Sequence, residues 1–280
     1  MILIADSGST KTEWCLLGED GSRRTIITAG MNPYFQSREE IESEVRGSLL
    51  PSIGEQKIDS IYFYGAGCAF PEKNMIVEEA VTSVIPAKME VHSDLIAAAR
   101  ALCGAEPGIA CILGTGSNSC LYDGKGIADQ ISPLGFILGD EGSGAVLGKL
   151  LVGDCLKRQL PEHLRKSFME RFDLTPAILL DRIYKKPFPN RFLASLSIFL
   201  AENIKEPSIH KLVYDNFRSF FTRNVAQYRE STKYHVNFVG SIAYHYQDVL
   251  KEAAGSLGYQ IGKIEQAPMG GLIEYHKDKP

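Results

Sequence analysis

The chain has 280 residues, of which 44% are hydrophobic and 23% are charged, a composition typical of a globular protein with one large domain or two medium ones. Its formal net charge of −4 excludes a general basic field, so we expect neither a nucleic-acid partner nor a membrane partner. No apolar run has the length of a membrane span, and the N-terminus lacks the features of a signal peptide. The six cysteines form no CxxC pair, which favours reduced, buried thiols in a cytoplasmic protein.

The predicted elements alternate between strands and helices. The segments "MILIAD" and "TEWCLLG" are strands that pair around a small polar loop, and "REEIESEVRGSLL" carries Ile41, Val45 and Leu49 at helical spacing. Further along, "IDSIYFYGAGC" is a buried strand that ends in a glycine turn, "AKMEVHSD" is a short strand, and "SDLIAAARALC" is a helix with one apolar face. This alternation predicts an α/β fold.

The stretch "IACILGTGSNSCLYDGKG" at 109–126 repeats the pattern of the N-terminus. Each copy has an apolar strand, a small Gly/Ser/Thr loop, a second apolar strand and an Asp-Gly turn. Two hairpins can look alike by chance, but the repeat also indicates two related halves. We therefore predict an N-terminal domain over 1–105, joined by a final helix near 271–280. The predicted C-terminal domain covers 106–270 and contains a helical insertion at about 150–230.

Three loops carry a family resemblance: "DSGSTKT" at 6–12, "GTGSN" at 114–118 and "GDEGSG" at 139–144. Their order resembles the sugar kinase/heat-shock ATPase/actin superfamily. More narrowly, it resembles the N-acetylglucosamine kinase branch, which is related to the ATPases that activate benzoyl-CoA reductases and hydroxyacyl-CoA dehydratases. The resemblance implies two similarly folded, ribonuclease H-like (actin-like ATPase) domains with a nucleotide cleft between them. It also implies ATP and Mg²⁺ as cofactors and a small amino sugar as substrate.

The first loop is expected to bind phosphate. Gly8 lets the backbone approach a ligand, while Ser9 and Thr10 can donate to phosphate oxygens and Lys11 adds positive charge. Asp6, at the end of the strand, can orient a water bound to Mg²⁺, because Mg²⁺ keeps several of its waters. The alternative is a polar hairpin turn.

The second loop repeats this logic. By resemblance, Thr115 and Gly116 face the phosphates, and Ser117 and Asn118 reach the sugar. The alternative is a tight turn between two strands.

Two later turns resemble the adenosine pocket of the family. These are "VGSIA" at 239–243 and "MGGL" at 269–272, in which Gly240, Ser241 and Gly270 would let the nucleotide approach the backbone. Ordinary strand-to-helix turns look the same.

The resemblance places the catalytic base at Asp94, in "EVHSDLIAAAR". A carboxylate there can accept the proton of a sugar hydroxyl as that hydroxyl attacks phosphorus. The alternative is structural, since either Ser93 or Asp94 would cap the helix that follows.

Three further residues are expected to hold the sugar. The resemblance assigns sugar hydroxyls to Asp140 and includes Gly135 from the same stretch; the alternative for Asp140 is a helix cap with Glu141 solvated. Asn32, in "GMNPYF", is a sugar contact by resemblance or an ordinary turn before proline.

The sequence thus predicts an ATP-dependent kinase for the 6-hydroxyl of N-acetylglucosamine or a related amino sugar, and it leaves a homodimer open. One alternative is an ATPase activator of a 2-hydroxyacyl-CoA dehydratase-type enzyme. Such an activator shares an iron–sulfur cluster, for which only Cys155 and Cys120 look accessible in the sequence. A second alternative is a non-catalytic amino-sugar sensor.

Overall fold

A computed structural model describes residues 1–8 and 10–277. Ser9, predicted above to bind phosphate, lies outside the described residues. The chain forms two compact units. The N-terminal unit comprises Met1–Ala105 and the residues from Ala267 onward, and the C-terminal unit comprises Glu106–Gln266.

The N-terminal unit is built on a five-stranded sheet with the order β3-β2-β1-β4-β5. Strands β1, β2 and β3 form an antiparallel meander, and β4 and β5 continue the sheet parallel to β1. The strands are β1 (Ile2–Ser7), β2 (Lys11–Leu17), β3 (Arg23–Ala29), β4 (Ser60–Gly65) and β5 (Lys88–Ser93).

Successive side chains of a strand point to opposite faces of the sheet, and both faces of this sheet carry buried apolar residues. Helices therefore cover both faces. On one face, Leu3, Trp14 and Phe63 are buried among residues of α1 and α3. A capping box at Ser37 and Glu40 starts the first helix, since each side chain accepts a hydrogen bond from the other residue's backbone N–H. The helices are α1 (Arg38–Glu44), α2 (Leu50–Ile53), α3 (Pro71–Thr82) and α4 (Asp94–Cys103), and a π-helical turn at Val45–Leu49 joins α1 to α2.

The C-terminal unit repeats this sheet topology. Its order is β10-β9-β6-β7-β8, with an antiparallel meander β6-β7-β8 and two strands parallel to β6. The strands are β6 (Gly108–Leu113), β7 (Ser117–Tyr122), β8 (Ile127–Gln130), β9 (Val236–Val239) and β10 (Ile261–Glu265). The prediction of an α/β protein with two similarly folded domains is confirmed.

Most helices of the C-terminal unit lie between β8 and β9. Their core is rich in phenylalanine, and the rings of Phe221 and Phe238 lie 5.9 Å apart in an edge arrangement. The helices are α5 (Gly135–Leu138), α6 (Gly144–Leu156), α7 (Glu162–Arg171), α8 (Pro176–Tyr184), α9 (Pro189–Glu202) and α10 (Pro207–Arg223), followed after β9 by α11 (Ser241–His245) and α12 (Gln247–Ser256).

The last helix, α13 (Met269–His276), follows β10 in the chain but belongs to the N-terminal unit. Its buried Leu272 and Ile273 share a hydrophobic cluster with Ile4 on the sheet face opposite α1 and α3. His276 is fully buried, and its Nε2 atom lies 2.7 Å from the hydroxyl of Tyr64. This helix therefore completes one face of the first sheet.

All six cysteines are free thiols, and Cys103 is the partly exposed one. The expectation that Cys120 and Cys155 are accessible is wrong, because these two cysteines are 0% and 5% exposed and lie in the hydrophobic core. Separately, in the part of the chain that the structure describes, no helix combines the length and apolarity needed to cross a membrane.

Candidate active site

The first predicted phosphate loop is the turn between β1 and β2. The N–H of Gly8 donates to the carbonyl of Lys11 at 3.0 Å, which closes the turn. Below it, the hydroxyls of Ser7 and Thr12 are buried and lie 2.7 Å apart, and Thr12 Oγ1 donates to the carbonyl of Ala29 at 3.1 Å. Sequence reasoning missed these two hydroxyls, although the strand alternation would have placed them on the inward side. They anchor the loop to the sheet.

The outer part of this loop is open to solvent. Gly8, Thr10 and Lys11 are all exposed. A Cβ atom added at Gly8 would meet only the carbonyl oxygen of Lys11, at 3.7 Å, which is an ordinary contact. Packing within the unit therefore does not require glycine at position 8, whereas close approach of a ligand to the backbone would favour it.

Two carboxylates face each other beneath the loop. Asp6 on β1 is the direct register partner of Glu13 on β2, and like charges placed opposite each other in a sheet are destabilising. Burial, followed by the charges of Asp94 and Glu13, raises the pKa of Asp6 to about 6, while Lys11 opposes the shift. Glu13 was not among the predicted residues, yet the hairpin register could have identified it. A costly acidic pair at a loop that lacks a packing role is typical of a functional site.

Asp94 is the first residue of α4, directly after β5. The helix is capped by its neighbour, because Ser93 Oγ accepts a hydrogen bond from the N–H of Ile96 at 3.3 Å. Burial raises the pKa of Asp94 to about 6, and the backbone N–H groups of Asp94 and Leu95 partly offset that rise. The capping role considered for Asp94 is thus performed by Ser93. Asp94 is a carboxylate whose pKa lies close to neutrality, as a general base requires.

The loop after β4 borders Asp94. Gly65 is the register partner of Ser93, and both burial and the charge of Asp94 raise the pKa of the Cys68 thiol to about 12. Cys68 is therefore protonated near neutral pH, in agreement with a packing role. A Cβ atom at Gly67, which has φ 87°, would lie 2.4 Å from Asn32 Oδ1. Gly67 thus brings this loop against the turn that contains Asn32.

Asn32 has a clear local role. Its Oδ1 accepts a hydrogen bond from the N–H of Tyr34 at 3.0 Å, and its carbonyl accepts from Phe35 and Gln36. The residue is only 7% exposed. The ordinary turn weighed from the sequence is therefore present, and the sugar contact of Asn32 stays a prediction.

The second predicted phosphate loop joins β6 to β7 in the C-terminal unit. The N–H of Gly114 donates to the carbonyl of Gly116 at 3.0 Å. The first two N–H groups of α6, from Gly144 and Ala145, donate to the carbonyls of Gly114 and Thr115 at 2.8 and 3.1 Å. The N-terminus of α6 therefore holds this loop in place, while Thr115 remains exposed.

Asp140 lies beside this loop. Its Oδ2 atom would be 3.0 Å from a Cβ atom at Gly116, and its backbone has the left-handed φ of 55°. Burial raises the pKa of Asp140 to about 6, while backbone N–H groups of Ser117 and Gly135 favour the charged form. The structure therefore brings together four of the predicted residues: Gly116, Ser117, Gly135 and Asp140.

The capping alternative for Asp140 is wrong. The cap of α6 is Ser143, whose Oγ accepts a hydrogen bond from the N–H of Val146 at 3.2 Å. Glu141 is not simply solvated either, since its Oε1 atom forms an ion pair of 2.5 Å with Nε of Arg223. Asp140 thus does not have the capping role that the sequence alternative gave it.

Ser117 is buried and Asn118 is half-buried. Ser117 is 7% exposed. Asn118 Oδ1 accepts hydrogen bonds from the N–H of Ser119 at 2.9 Å and from Nε2 of Gln130, on the neighbouring strand, at 3.2 Å. The sugar contacts of Ser117 and Asn118 stay predictions.

The predicted adenosine turns fall in different units. Gly240 has φ 123°, and a Cβ atom there would lie 2.3 Å from the carbonyl oxygen of Leu113, so the C-terminal unit itself requires glycine at this position. Ser241 follows as the exposed first residue of α11. Gly270 lies in α13 of the N-terminal unit, and no heavy atom comes within 4 Å of a Cβ atom added there. A role for these residues at adenosine stays a prediction.

A magnesium ion held through water fits the acidic residues of the N-terminal unit. Among residues 1–8 and 10–277, no group of three or more His, Cys, Asp or Glu side chains is arranged to hold a metal ion directly. Asp6 nevertheless offers a hard oxygen ligand at the base of the exposed loop, and Mg²⁺ usually contacts one or two carboxylates and keeps several waters. Positive charge there would also offset the burial and the repulsion by Asp94 and Glu13 that raise the pKa of Asp6.

The sequence profile of the BadF/BadG/BcrA/BcrD ATPase family matches residues 5–159. A solved structure of a candidate N-acetylglucosamine kinase from Porphyromonas gingivalis is 48% identical, with a TM-score of 0.95 and with 100% of this chain and 99% of that chain covered. No curated protein matches the sequence.

Two more distant structures share the fold. A candidate N-acetylglucosamine kinase from Chromobacterium violaceum is 15% identical, with a TM-score of 0.74 and 98% of each chain covered. A hexokinase from Schistosoma mansoni complexed with glucose is 12% identical, with a TM-score of 0.50 over 99% of this chain and 84% of that chain. At these identities the likeness shows the fold alone.

Proposed function

This chain belongs to the BadF/BadG/BcrA/BcrD ATPase family, and we propose that it is an ATP-dependent sugar kinase. The proposed acceptor is the 6-hydroxyl of N-acetylglucosamine or a related amino sugar. The amino sugar is supported by the P. gingivalis protein, which is similar over its whole length and is named as a candidate N-acetylglucosamine kinase.

The observation that carries this proposal is the environment of Asp94. The helix that begins at Asp94 is already capped by Ser93, so the carboxylate is not required for the cap. Its pKa of about 6 leaves it ionised at neutral pH and still basic enough to accept a proton. These are the properties that a sugar kinase needs in the group that receives the proton of the acceptor.

The proposed reaction transfers one phosphoryl group. The 6-hydroxyl oxygen attacks the γ-phosphorus of ATP, the bond from that phosphorus to the β,γ-bridging oxygen breaks, and ADP leaves. The hydroxyl proton passes to the carboxylate of Asp94. Asp140 accepts hydrogen bonds from hydroxyls of the sugar and fixes its orientation. Positioning of this kind, together with electrostatic stabilisation, supplies most of the catalysis in phosphoryl transfer.

The two glycine loops are proposed to bind the phosphates of ATP, through Gly8, Thr10 and Lys11 in one unit and through Thr115 and Gly116 in the other. Asp6 would hold Mg²⁺ through a water molecule. When bound, Mg²⁺ neutralises charge on the β- and γ-phosphates. The exposure of Gly8, Thr10 and Lys11 in the first loop and of Thr115 in the second supports this role.

A phosphorylation assay tests the proposal. The protein is incubated with MgATP and a panel of amino sugars, hexoses and muropeptide sugars, and the position of the new phosphate is read by NMR. We expect a 6-phosphate on an amino sugar. Sugar binding with no phosphate transfer would favour the sensor alternative instead.

An activator of a dehydratase-type enzyme is the second candidate, because the loops of this chain also resemble those of the ATPases that activate such enzymes. That role needs cysteine thiolates near the surface to hold an iron–sulfur cluster. Five of the six cysteines are buried, and burial raises the pKa of Cys15, Cys68 and Cys155. We therefore favour the kinase. Protein prepared without oxygen should be colourless, and stoichiometric iron and sulfide would overturn this preference.

A further inference from the structure

Three large aromatic side chains are exposed on neighbouring loops of the N-terminal unit. Tyr34, Phe35 and Phe70 are 51%, 74% and 56% exposed. In the same unit, Trp14 and Phe63 are fully buried in the core. Aromatic rings lose much favourable burial when they remain in water, so a group of them on one surface calls for a ligand. We call these three residues the aromatic patch.

The two loops that carry the aromatic patch are held together. Gly67 allows the loop that leads to Phe70 to pack against the turn that carries Tyr34, since a Cβ atom at Gly67 would lie 2.9 Å from Tyr34 Cδ2. Lys73 links the same two loops. Its Nζ atom donates to the carbonyl of Pro33 at 3.0 Å and lies 4.9 Å from the centre of the Tyr34 ring. The backbone N–H of Lys73 also donates to the carbonyl of Phe70 at 3.0 Å.

The patch continues from the region of Asp94. The loop that ends at Phe70 contains Cys68, whose thiol senses the charge of Asp94. The helix that starts after Phe70 is held to the strand before Asp94, because Asn74 Nδ2 donates to the carbonyl of Val91 at 3.3 Å. The loop that leads to Phe70 therefore begins beside Ser93, where Gly65 pairs with it, so the proposed base and the exposed rings lie in the same region of the N-terminal unit.

The size of the patch indicates a small ligand. An aromatic side chain buries about 150–250 Å² at most, so three rings that are half to three-quarters exposed offer on the order of 400 Å². A stable protein interface needs about 800 Å² from each partner. The neighbouring Gln36, Glu72 and Lys73 are polar, so apolar surface does not extend in those directions. The patch matches one ring-sized ligand better than a protein.

We propose that the aromatic patch binds a second sugar ring of the acceptor, so that the preferred substrate is an amino-sugar disaccharide or a longer oligosaccharide. This inference rests on the proposed function and extends it. A pyranose ring has apolar C–H faces and a rim of hydroxyls. The faces pack on the rings of Phe35 and Phe70, and the hydroxyls meet the Tyr34 hydroxyl and the Lys73 ammonium group at the edge of the patch.

The test compares N-acetylglucosamine with its β-1,4-linked disaccharide, N,N′-diacetylchitobiose. Binding is measured by calorimetry and phosphorylation by kcat/KM, for the wild type and for the double variant Phe35→Ala/Phe70→Ala. Ile27→Ala is the matched control, since Ile27 is a 56% exposed apolar residue of the same unit outside the patch. We expect the wild type to bind the disaccharide about tenfold more tightly than the monosaccharide, the gain of one stacked ring. The double variant should bring this ratio close to one, and the control should keep it.

Four outcomes decide the matter. The inference is supported if the wild type binds the disaccharide more tightly than the monosaccharide, and if the double variant loses this preference while the control keeps it. Equal binding of both sugars by the wild type overturns it while the kinase proposal stands. An equal loss for both sugars in the double variant also overturns it, because the rings would then serve the monosaccharide itself. If neither sugar binds to the wild type, the proposed function fails together with this inference.

Discussion

Replacement of Asp94 by asparagine separates catalysis from folding. The amide keeps the size of the side chain but cannot take the proton of the acceptor hydroxyl. A general base contributes about 10²–10⁴-fold to such a step, which corresponds to about 3–5 kcal/mol of transition-state stabilisation. We therefore expect kcat of Asp94→Asn to fall within that range, with ATP binding nearly unchanged.

The same substitution should not destabilise the protein. In the folded state, burial raises the pKa of Asp94 from 3.8 to about 6, so the folded protein holds this proton more tightly than the unfolded chain. The ionised group therefore costs stability above pH 6, and this cost disappears as the pH falls toward 4. A shift of about two pKa units corresponds to about 3 kcal/mol at pH 7. Because asparagine carries no charge, Asp94→Asn should unfold at the same temperature as the wild type or above it.

The assay pairs kcat with the melting temperature, and Ser93→Ala is the matched control. Loss of the Ser93 cap should lower stability by about 1 kcal/mol, while Asp94 remains in place and turnover stays within a few fold of the wild type. Opposite behaviour of the two variants supports the assignment. A normal kcat for Asp94→Asn, or a lower melting temperature without loss of turnover, would refute the reasoning.

Three further predictions concern pH, the sugar and the backbone. The kcat/KM of the wild type should fall as the pH drops below about 6, because Asp94 must be ionised to accept a proton; a flat profile down to pH 5 would contradict this. Asp140→Asn should raise the KM of the sugar by about 10–100-fold, because hydrogen bonds to a charged group contribute about that much to binding. The Kd of ATP, measured by calorimetry, should not change. Gly240→Ala should lose at least about 2 kcal/mol in chemical unfolding, because alanine is strained at φ 123° and its Cβ atom would lie 2.3 Å from the carbonyl oxygen of Leu113. A stable Gly240→Ala variant would show that the turn can shift.

The two hairpins with their glycine loops could be predicted from the sequence because the signal is local. An apolar strand, a short run of small residues and a second apolar strand leave few other arrangements, and β1-β2 and β6-β7 form as expected. The helix that starts at Asp94 was equally clear from its apolar face. The repeat of these local patterns predicted two related halves, and the family resemblance implied that the two domains are similarly folded.

Other features depend on packing that a single sequence does not display. Strand β3 was not predicted. It is an edge strand that begins with the charged Arg23 and Arg24, and only two of its residues are buried. The choice between Ser93 and Asp94 as cap depends on one side-chain rotamer. Asp140 has a positive φ, and its N–H donates to the carbonyl of Pro133 at 2.9 Å, which is a contact between separate turns.

The assignment of α13 to the N-terminal unit has a consequence for how the protein is made. The ribosome finishes Met1–Ala105 long before it reaches Met269, and the 161 residues of Glu106–Gln266 are synthesised in between. At about 5–20 residues per second, this takes roughly 10–30 s. During that time one face of the first sheet, around Ile4 and Tyr62, lacks the side chains of Leu272 and Ile273 that cover it. The nascent N-terminal unit therefore has an apolar surface for chaperones to bind, and a chain that stops short of α13 keeps that surface permanently.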